Sequence, residues 1–227
     1  MIPLVWVPGH LCSAWLYAPL MGRWPGPETV AETTRDDSLA TMAARLLAET
    51  EGPLALAGLS MGGMVALEAM AAAPGRIAGA LLMDTDPFAA RERETAWRAG
   101  EMAAGPESYI ARFTAKFFAH DAAVAERLGP AARAQAAAMV PEVIAAQARA
   151  LDTRRDMMPL VEGFEAPVEI VVGAEDRVCP PKLHRPLAEA LPGAVFTEIP
   201  GCGHLATVEA PEAVAARLDA LAARIGP

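Results

Sequence analysis

The stretch LALAGLSMGGMVALEAMAAA, residues 54–73, joins a short apolar run to a helical pattern through a turn rich in glycine. Leu54–Ala57 is a continuous apolar run typical of a buried strand, and Met64–Ala73 predicts a helix. Between them, Gly58-Leu59-Ser60-Met61-Gly62 fits the pattern G-x-S-x-G. Glycine is needed in so tight a turn because a side chain would collide with neighbouring backbone. The pattern therefore predicts that Ser60 lies on a sharp strand-to-helix turn.

A serine on such a turn is well placed for chemistry. Its hydroxyl is lifted above the carboxyl ends of the strands, and the helix N-terminus beside it favours developing negative charge. We interpret Ser60 as a nucleophile. The alternative is a Gly-Ser turn that only links a strand to a helix; the strand before it and the helix after it favour the catalytic interpretation.

The composition limits the class of protein. The chain has 227 residues, of which 53% are hydrophobic and 21% charged, so it does not resemble a disordered protein. Its formal net charge is −9, which argues against binding to nucleic acid or to an anionic membrane surface. Three widely spaced cysteines and an N-terminus without a basic region favour a reducing, cytoplasmic location without a disulfide framework.

Strand-like runs alternate with helical patterns through most of the chain, which predicts an α/β protein with a mostly parallel sheet of about six strands. The predicted strands are Ile2–Val7, Thr29–Thr34, Leu54–Ala57, Ile77–Met83, Val168–Val172 and Val195–Ile199. Between Phe88 and Pro159 only amphipathic helical patterns occur. We expect residues 1–87 and 160–227 to form the core of the fold and residues 88–159 to form a helical insertion.

Further helices are predicted in the two core segments. Ser38 is placed to cap a helix that ends before Gly52-Pro53. Lys182–Leu191 predicts a helix that Pro186 would kink. A closing helix carries the apolar face Val214, Leu218, Leu221 and Ile225.

A nucleophilic serine needs a base and a group that orients the base. His204 follows the last predicted strand and is the candidate base; of the other histidines, His120 and His184 fall in predicted helical segments and His10 in the first loop. Asp176 follows the strand Val168–Val172 and is the candidate acid. The rival acids are Glu175, Asp84 and Asp86.

The loop Pro8-Gly9-His10-Leu11 follows the first predicted strand and is expected beside Ser60. Its backbone N–H groups, together with that of Met61, would form an oxyanion hole. We favour the His10 amide over that of Leu11. An ordinary Pro-Gly turn is the alternative.

These residues resemble the α/β-hydrolase superfamily over nearly the whole chain. The order Ser60, Asp176, His204 matches the family's order of nucleophile, acid and base. The strings Gly-Leu-Ser-Met-Gly-Gly, Gly-x-x-Asp-Arg-Val-x-Pro-Pro and Gly-Cys-Gly-His-Leu carry the resemblance. It implies a helical cap after the family's sixth strand, matching residues 88–159. Two departures are expected: the usual N-terminal hairpin is missing, and Pro8-Gly9-His10 stands where many members have His-Gly.

The predicted activity is hydrolysis of a small or medium hydrophobic carboxylic ester through an acyl-enzyme, with no metal and no organic cofactor. The expected partner is a small-molecule substrate, and the chain would be a monomer or homodimer. A low-polarity pocket is expected from Leu11, Trp97, Phe113, Phe117 and Met157.

Alternatives with the same three side chains are C–C bond hydrolysis, lactone opening and cofactor-free peroxidation. A ligand-binding protein on the same fold is an alternative of another class. The string Gly201-Cys202-Gly203-His204-Leu205-Ala206 formally fits a dinucleotide-binding pattern, but too little chain follows it to complete a βαβ unit.

Overall fold

The computed structural model describes residues 1–118 and 120–226 and contains one sheet of six parallel strands in the order β2-β1-β3-β4-β5-β6. The strands are β1 Leu4–Val7, β2 Glu28–Val30, β3 Leu54–Leu59, β4 Ile77–Met83, β5 Val168–Gly173 and β6 Ala194–Ile199. The helices are α1 Leu39–Ala48, α2 Met61–Ala72, α3 Glu92–Ala103, α4 Pro106–Phe117, α5 Ala122–Ala137, α6 Pro141–Asp152, α7 Met158–Val161, α8 His184–Ala190, α9 Ala206–Glu209 and α10 Pro211–Ile225. The predicted α/β architecture is confirmed.

The central strands are buried on both faces, which explains their continuous apolar sequence. In β1, Leu4 and Trp6 belong to one hydrophobic cluster, whereas Val5 and Val7 belong to a second cluster on the opposite face. This alternation follows from the two-residue period of a strand. The sheet therefore lies between two apolar layers, and its carboxyl edge is free to carry polar loops.

Most predicted elements lie where the sequence placed them, with differences at their ends. Ser38 caps α1, since its Oγ accepts a hydrogen bond from Thr41 N at 3.1 Å. Helix α2 begins at Met61 rather than Met64, directly after Ser60. Strand β2 is shorter than the predicted Thr29–Thr34 and lies at an edge of the sheet.

The helix predicted over Lys182–Leu191 is shorter than expected. A 3-10 turn, Pro181–Leu183, precedes it, and the α-helix begins at His184. Pro186 consequently lies in the first turn of α8, where a missing N–H costs little, and not in a helix interior.

Helices α3 to α6, which together with the short α7 lie between β4 and β5, are called the helical segment below. Their apolar residues Tyr109, Phe113 and Phe117 join the same hydrophobic cluster as Trp6 of the sheet. The helical segment thus packs directly on the carboxyl side of the fold, above the turn that carries Ser60. No helix within residues 1–118 and 120–226 combines the length and apolar character that crossing a membrane would require.

Candidate active site

Ser60 occupies the turn between β3 and α2 in an unusual backbone conformation, with φ 57° and ψ −119°. The strand and the helix leave no room for side chains beside it. A Cβ on Gly62 would lie 1.8 Å from Val7 O, and one on Gly58 would lie 2.3 Å from Gly62 O. Both flanking glycines of the sequence pattern are therefore required by backbone contacts that this turn makes.

The backbone of Ser60 is held from the neighbouring strand β4. Its N–H donates to Met83 O at 2.9 Å, and its carbonyl oxygen accepts a hydrogen bond from Thr85 Oγ1, also at 2.9 Å. The Thr85 N–H in turn donates to His184 Nε2 at 2.8 Å. These bonds hold the strained turn in one conformation and leave the Ser60 hydroxyl free for His204.

The structure brings Ser60, His204 and Asp176 together from three separate loops. His204 Nε2 lies 3.0 Å from Ser60 Oγ, and His204 Nδ1 lies 2.8 Å from Asp176 Oδ2. The carboxylate accepts from Nδ1–H, which leaves Nε2 without a proton and able to accept the serine proton. His204 is 1% exposed and Asp176 is 3% exposed, so bulk water does not compete for these bonds.

The surroundings of Asp176 favour its ionised form. Burial alone would raise its pKa, but attraction to His204 and hydrogen bonds from His204 and from the backbone N–H groups of Val178 and Cys179 outweigh burial and lower it below the usual range. An ionised carboxylate in this position fixes the imidazole tautomer and stabilises an imidazolium.

The three rival acids have other contacts. Asp84 accepts hydrogen bonds from Gly173 N and Ala206 N, and burial together with the Asp176 charge raises its pKa well above the usual value. Asp86 pairs with Arg91 and Arg154. Glu175 is exposed. Of these four acids, Asp176 is the one hydrogen-bonded to His204.

The loop that carries His204 is fixed by an acid that the sequence patterns did not single out. Glu209, at the end of α9, accepts hydrogen bonds from Gly203 N and Leu205 N, each at 2.9 Å. Phe117 supports the imidazole from the other side, with ring centroids 5.5 Å apart in a stacked arrangement. His120 lies in a turn after α4 and not in a helix as predicted, and its Nε2 is 3.2 Å from Glu209 Oε2.

The first loop, predicted to supply an amide to the site, is clamped by two residues of the helical segment. Gln147 Oε1 accepts from Leu11 N at 3.2 Å and from His10 Nδ1 at 3.0 Å. Tyr109 Oη lies 2.8 Å from His10 Nε2 and donates to it, because Nδ1 carries the proton. Burial, the main cause, lowers the pKa of His10 to about 3, so the ring is neutral. The Leu11 amide is thereby occupied, which leaves the His10 amide as the better candidate for an oxyanion donor.

Gln147, Tyr109 and Tyr17 were not identified from the sequence. Tyr17 Oη donates to Val7 O at 2.5 Å and accepts from Leu59 N at 3.1 Å, which joins the ends of β1 and β3 below the site. A buried tyrosine with a polar partner is common in cores, and no local pattern distinguishes these residues.

A cavity of about 370 Å³ opens next to Ser60, beneath the helical segment. Its lining residues are Ser60, Met64, Asp86, Arg93, Glu94, Trp97, Arg98, Phe113, Lys116, Leu151, Arg154, Arg177, Val178 and Cys179. Trp97 and Phe113 are in the cavity as predicted.

Three of the predicted pocket residues lie elsewhere. Leu11 is fully buried with its amide on Gln147, Phe117 backs the His204 ring, and Met157 packs in the hydrophobic cluster on the opposite face of the sheet. Charged side chains contribute half of the residues around the cavity, which the expectation of an apolar lining did not include.

Asp176, Cys179 and His204 also place potential metal-ligand atoms within 4.8 Å of one another. Their chemistry does not fit a metal site. His204 Nδ1 is bonded to Asp176, and burial raises the pKa of the Cys179 thiol well above its usual value, whereas metals bind the thiolate.

The comparisons with known proteins agree with the fold. A family model described as "Alpha/beta hydrolase family" matches residues 4–217. BpoC of Mycobacterium tuberculosis, named as a candidate non-heme bromoperoxidase, is 30% identical over 220 residues, which cover 92% of this chain and 83% of BpoC.

Two solved structures show the same architecture at lower identity. A thermophilic esterase from Thermogutta terrifontis, solved with malate bound, has a TM-score of 0.84 at 22% identity. The alignment covers 100% of this chain and 91% of the esterase chain. The enol-lactonase of Burkholderia xenovorans has a TM-score of 0.84 at 18% identity, and the alignment covers 97% of this chain and 90% of the enol-lactonase chain. The family match, together with the six-stranded parallel sheet and the turn at Ser60, shows that this chain belongs to the alpha/beta hydrolase family.

Proposed function

We propose that this protein is a serine hydrolase that cleaves a small or medium carboxylic ester through an acyl-enzyme. The observation that carries the proposal is the hydrogen-bonded series from Ser60 Oγ to His204 Nε2 and from His204 Nδ1 to Asp176 Oδ2. A serine hydroxyl becomes a competent nucleophile when a neutral imidazole can take its proton and a carboxylate stabilises the resulting imidazolium.

In this mechanism Ser60 Oγ attacks the ester carbonyl carbon while His204 Nε2 takes the hydroxyl proton. The backbone N–H groups of Met61 and His10 donate to the oxyanion of the tetrahedral intermediate. His204 then protonates the leaving alcohol as the C–O bond breaks. A water molecule attacks the acyl-enzyme by the same steps and releases the acid and free Ser60.

The helical segment is proposed to act as the cap that limits the size of the substrate. Trp97 and Phe113 contribute an apolar part of the cavity wall, and a volume of about 370 Å³ is at the lower end of the usual range for ligand sites. Lactone opening is the second candidate, since a lactone is a cyclic ester and the enol-lactonase of Burkholderia xenovorans shares the fold.

Labelling with a serine-directed phosphonate tests the nucleophile. The wild-type protein should take up one phosphonate, and Ser60→Ala should take up none. Ser13→Ala is the matched control, because Ser13 is an exposed serine of the first loop, and it should be labelled like the wild type. Equal labelling of the wild type and Ser60→Ala would refute the assignment.

Hydrolysis of esters of graded acyl length tests the reaction. Ser60→Ala should lose several orders of magnitude in turnover. Tight ligand binding by a wild-type protein that turns over none of the esters or lactones would instead support a binding role.

A further inference from the structure

The cavity next to Ser60 has a cationic lining in an otherwise acidic protein. Its lining contains two acidic side chains, Asp86 and Glu94, and five basic ones, Arg93, Arg98, Lys116, Arg154 and Arg177. The chain as a whole has a net charge of −9. The net charge of the lining is therefore opposite in sign to that of the whole chain.

The two carboxylates of the cavity do not neutralise the free cations, because Arg154 already binds both. Arg154 Nη2 lies 3.1 Å from Asp86 Oδ2 and 2.6 Å from Glu94 Oε2. Arg91, outside the lining, pairs with the same two acids. Among the described residues, this closed network leaves four basic side chains of the lining without an ion pair to either carboxylate: Arg93, Arg98, Lys116 and Arg177.

Arg98 is the most informative of these side chains. It is 6% exposed, and its Nε donates to Asp152 Oδ1 at 2.5 Å. Its Nη2 is buried and has no hydrogen-bond partner within residues 1–118 and 120–226. A buried donor without a partner is unfavourable, and more so when it is charged, so such groups in native proteins call for an explanation.

Lys116 is a second cation in the same wall. It carries no ion pair with a described residue; its Nζ lies over the Trp97 ring, 2.9 Å from the ring centroid. Burial lowers the pKa of Lys116 and the nearby charge of Arg98 adds to the shift, whereas the charges of Glu101 and Glu94 oppose it. An anion between Arg98 and Lys116 would relieve both the unpaired donor and the repulsion.

We propose that the substrate ester carries a second, ionised carboxylate, which Arg98 and Lys116 bind in the cavity while Ser60 attacks the ester group. This inference rests on the function proposed above and names its substrate class. A planar carboxylate accepts hydrogen bonds from a guanidinium, and Nη2 of Arg98 is a donor without a partner among the described residues. Hydrolysis consumes one water; it yields an alcohol and a dicarboxylic acid when the carboxylate is on the acyl side, and a carboxylic acid and a hydroxy acid when it is on the alcohol side.

Matched ester pairs test the preference. The 4-nitrophenyl half-ester of glutaric acid is compared with its methyl-blocked diester, which has the same acyl skeleton without the charge. A second pair, 4-carboxyphenyl butyrate and its methyl ester, places the charge on the alcohol side. The wild type should prefer the charged member of at least one pair by about 10- to 100-fold in kcat/KM. Equal kcat/KM within both pairs would overturn the inference.

Three variants assign the preference to the cavity. Arg98→Gln should lose most of the preference, because it should raise the KM for the charged ester much more than the KM for the neutral ester. Lys116→Gln should lose part of the preference. This variant tests the inference even if Arg98→Gln does not fold. Arg127→Gln removes an exposed arginine of the helical segment outside the cavity lining and should keep the wild-type preference.

Binding without turnover separates this inference from the proposed function. Titration calorimetry of glutarate with Ser60→Ala should show binding that the double variant Ser60→Ala/Arg98→Gln loses. If Ser60 is labelled and esters are hydrolysed, but the charged esters are not preferred and Arg98→Gln has no effect, the inference is overturned and the proposed function stands. Glutarate binding that depends on Arg98, with no labelling of Ser60, would overturn the function alone.

Discussion

Ser60 and its neighbours show how single residues determine the geometry of the site. The positive φ of Ser60 is unfavourable for a residue with a side chain and persists because surrounding contacts fix it. Those contacts include the approach of Gly62 to the end of β1, where any side chain would meet Val7 O. The strain is thus supported by backbone packing that only glycine permits.

The first prediction concerns this close approach. Gly62→Ala should lower the free energy of unfolding by more than about 3 kcal/mol, because a Cβ 1.8 Å from Val7 O forces the helix and strand apart. Gly100→Ala is the matched control, since Gly100 lies in α3 with no atom within 4 Å of an added Cβ, and it should stabilise by about 0.5–1 kcal/mol. Urea unfolding of both variants provides the measurement, and similar changes in the two would contradict the argument.

His10 gives the second prediction, on pH dependence. Burial lowers its pKa from 6.5 to about 3, so between these values the unfolded state binds more protons than the folded state. The free energy of unfolding therefore falls as the pH falls below 6.5, by at most about 1.4 kcal/mol per pH unit. His10→Gln removes this contribution.

The measurement is urea unfolding of the wild type and His10→Gln at pH 7.5 and 5.5. On acidification the wild type should lose about 1 kcal/mol more than the variant. Burial also lowers the pKa of His184 to about 4 and raises that of Asp84, but both groups are present in the two proteins and cancel in the difference. Parallel pH profiles would show that His10 is not buried as a neutral ring.

At the scale of elements, α6 controls the loop after β1. Gln147 reaches from α6 to His10 and Leu11, and its Nε2 donates to Thr33 O at 3.2 Å. One buried side chain thus fixes the loop that is proposed to supply the second oxyanion amide. The helical segment consequently shapes the catalytic loop as well as the cavity.

Gln147→Ala gives the third prediction. It should destabilise the protein by about 2–4 kcal/mol, because the buried Leu11 N–H and His10 Nδ1–H both lose their acceptor. Gln135→Ala is the control: Gln135 also contacts the first loop, through Ser13, but that contact is exposed and water can replace it. We expect less than about 1 kcal/mol for the control. Equal losses in denaturant unfolding would show that Gln147 is not a buried clamp.

The whole molecule has a continuous core that joins the helical segment to the sheet. Tyr109, Phe113 and Phe117 of α4 belong to the same cluster as Leu4 and Trp6 of β1. The helical segment cannot leave the sheet without exposing this surface. We infer that the two parts unfold together.

The fourth prediction is a single cooperative transition. Scanning calorimetry should give one endotherm whose van't Hoff and calorimetric enthalpies agree. In hydrogen exchange, peptides from α4 and β3 should open with the same free energy, because their buried faces share one cluster. Two transitions, or earlier exchange in α4, would show instead that the helical segment unfolds independently.

The predicted apolar pocket shows what sequence periodicity does not determine, namely the neighbours of each side chain. Phe113 and Phe117 lie four residues apart on the face of α4 that the pattern predicts as apolar, and Tyr109, which the sequence patterns did not single out, lies one turn earlier. The three rings have different environments, since Tyr109 bonds His10, Phe117 backs His204 and Phe113 reaches the cavity. Spacing fixes the face of a helix, and the neighbours of each ring depend on how the helix is placed above the sheet.

The sequence alone determined the parallel α/β sheet and the turn at Ser60, because these follow from local sterics and from the periodicity of apolar positions; the order Ser60, Asp176, His204 was implied by the resemblance to the α/β-hydrolase superfamily. Only the tertiary structure decided which acid contacts His204, which amide Gln147 occupies and that Arg98 lacks a partner for Nη2. His10 and Gln147 are 137 residues apart in the chain, and no local rule connects them. Such contacts depend on how whole elements pack, which sums many weak interactions that a short stretch of sequence does not contain.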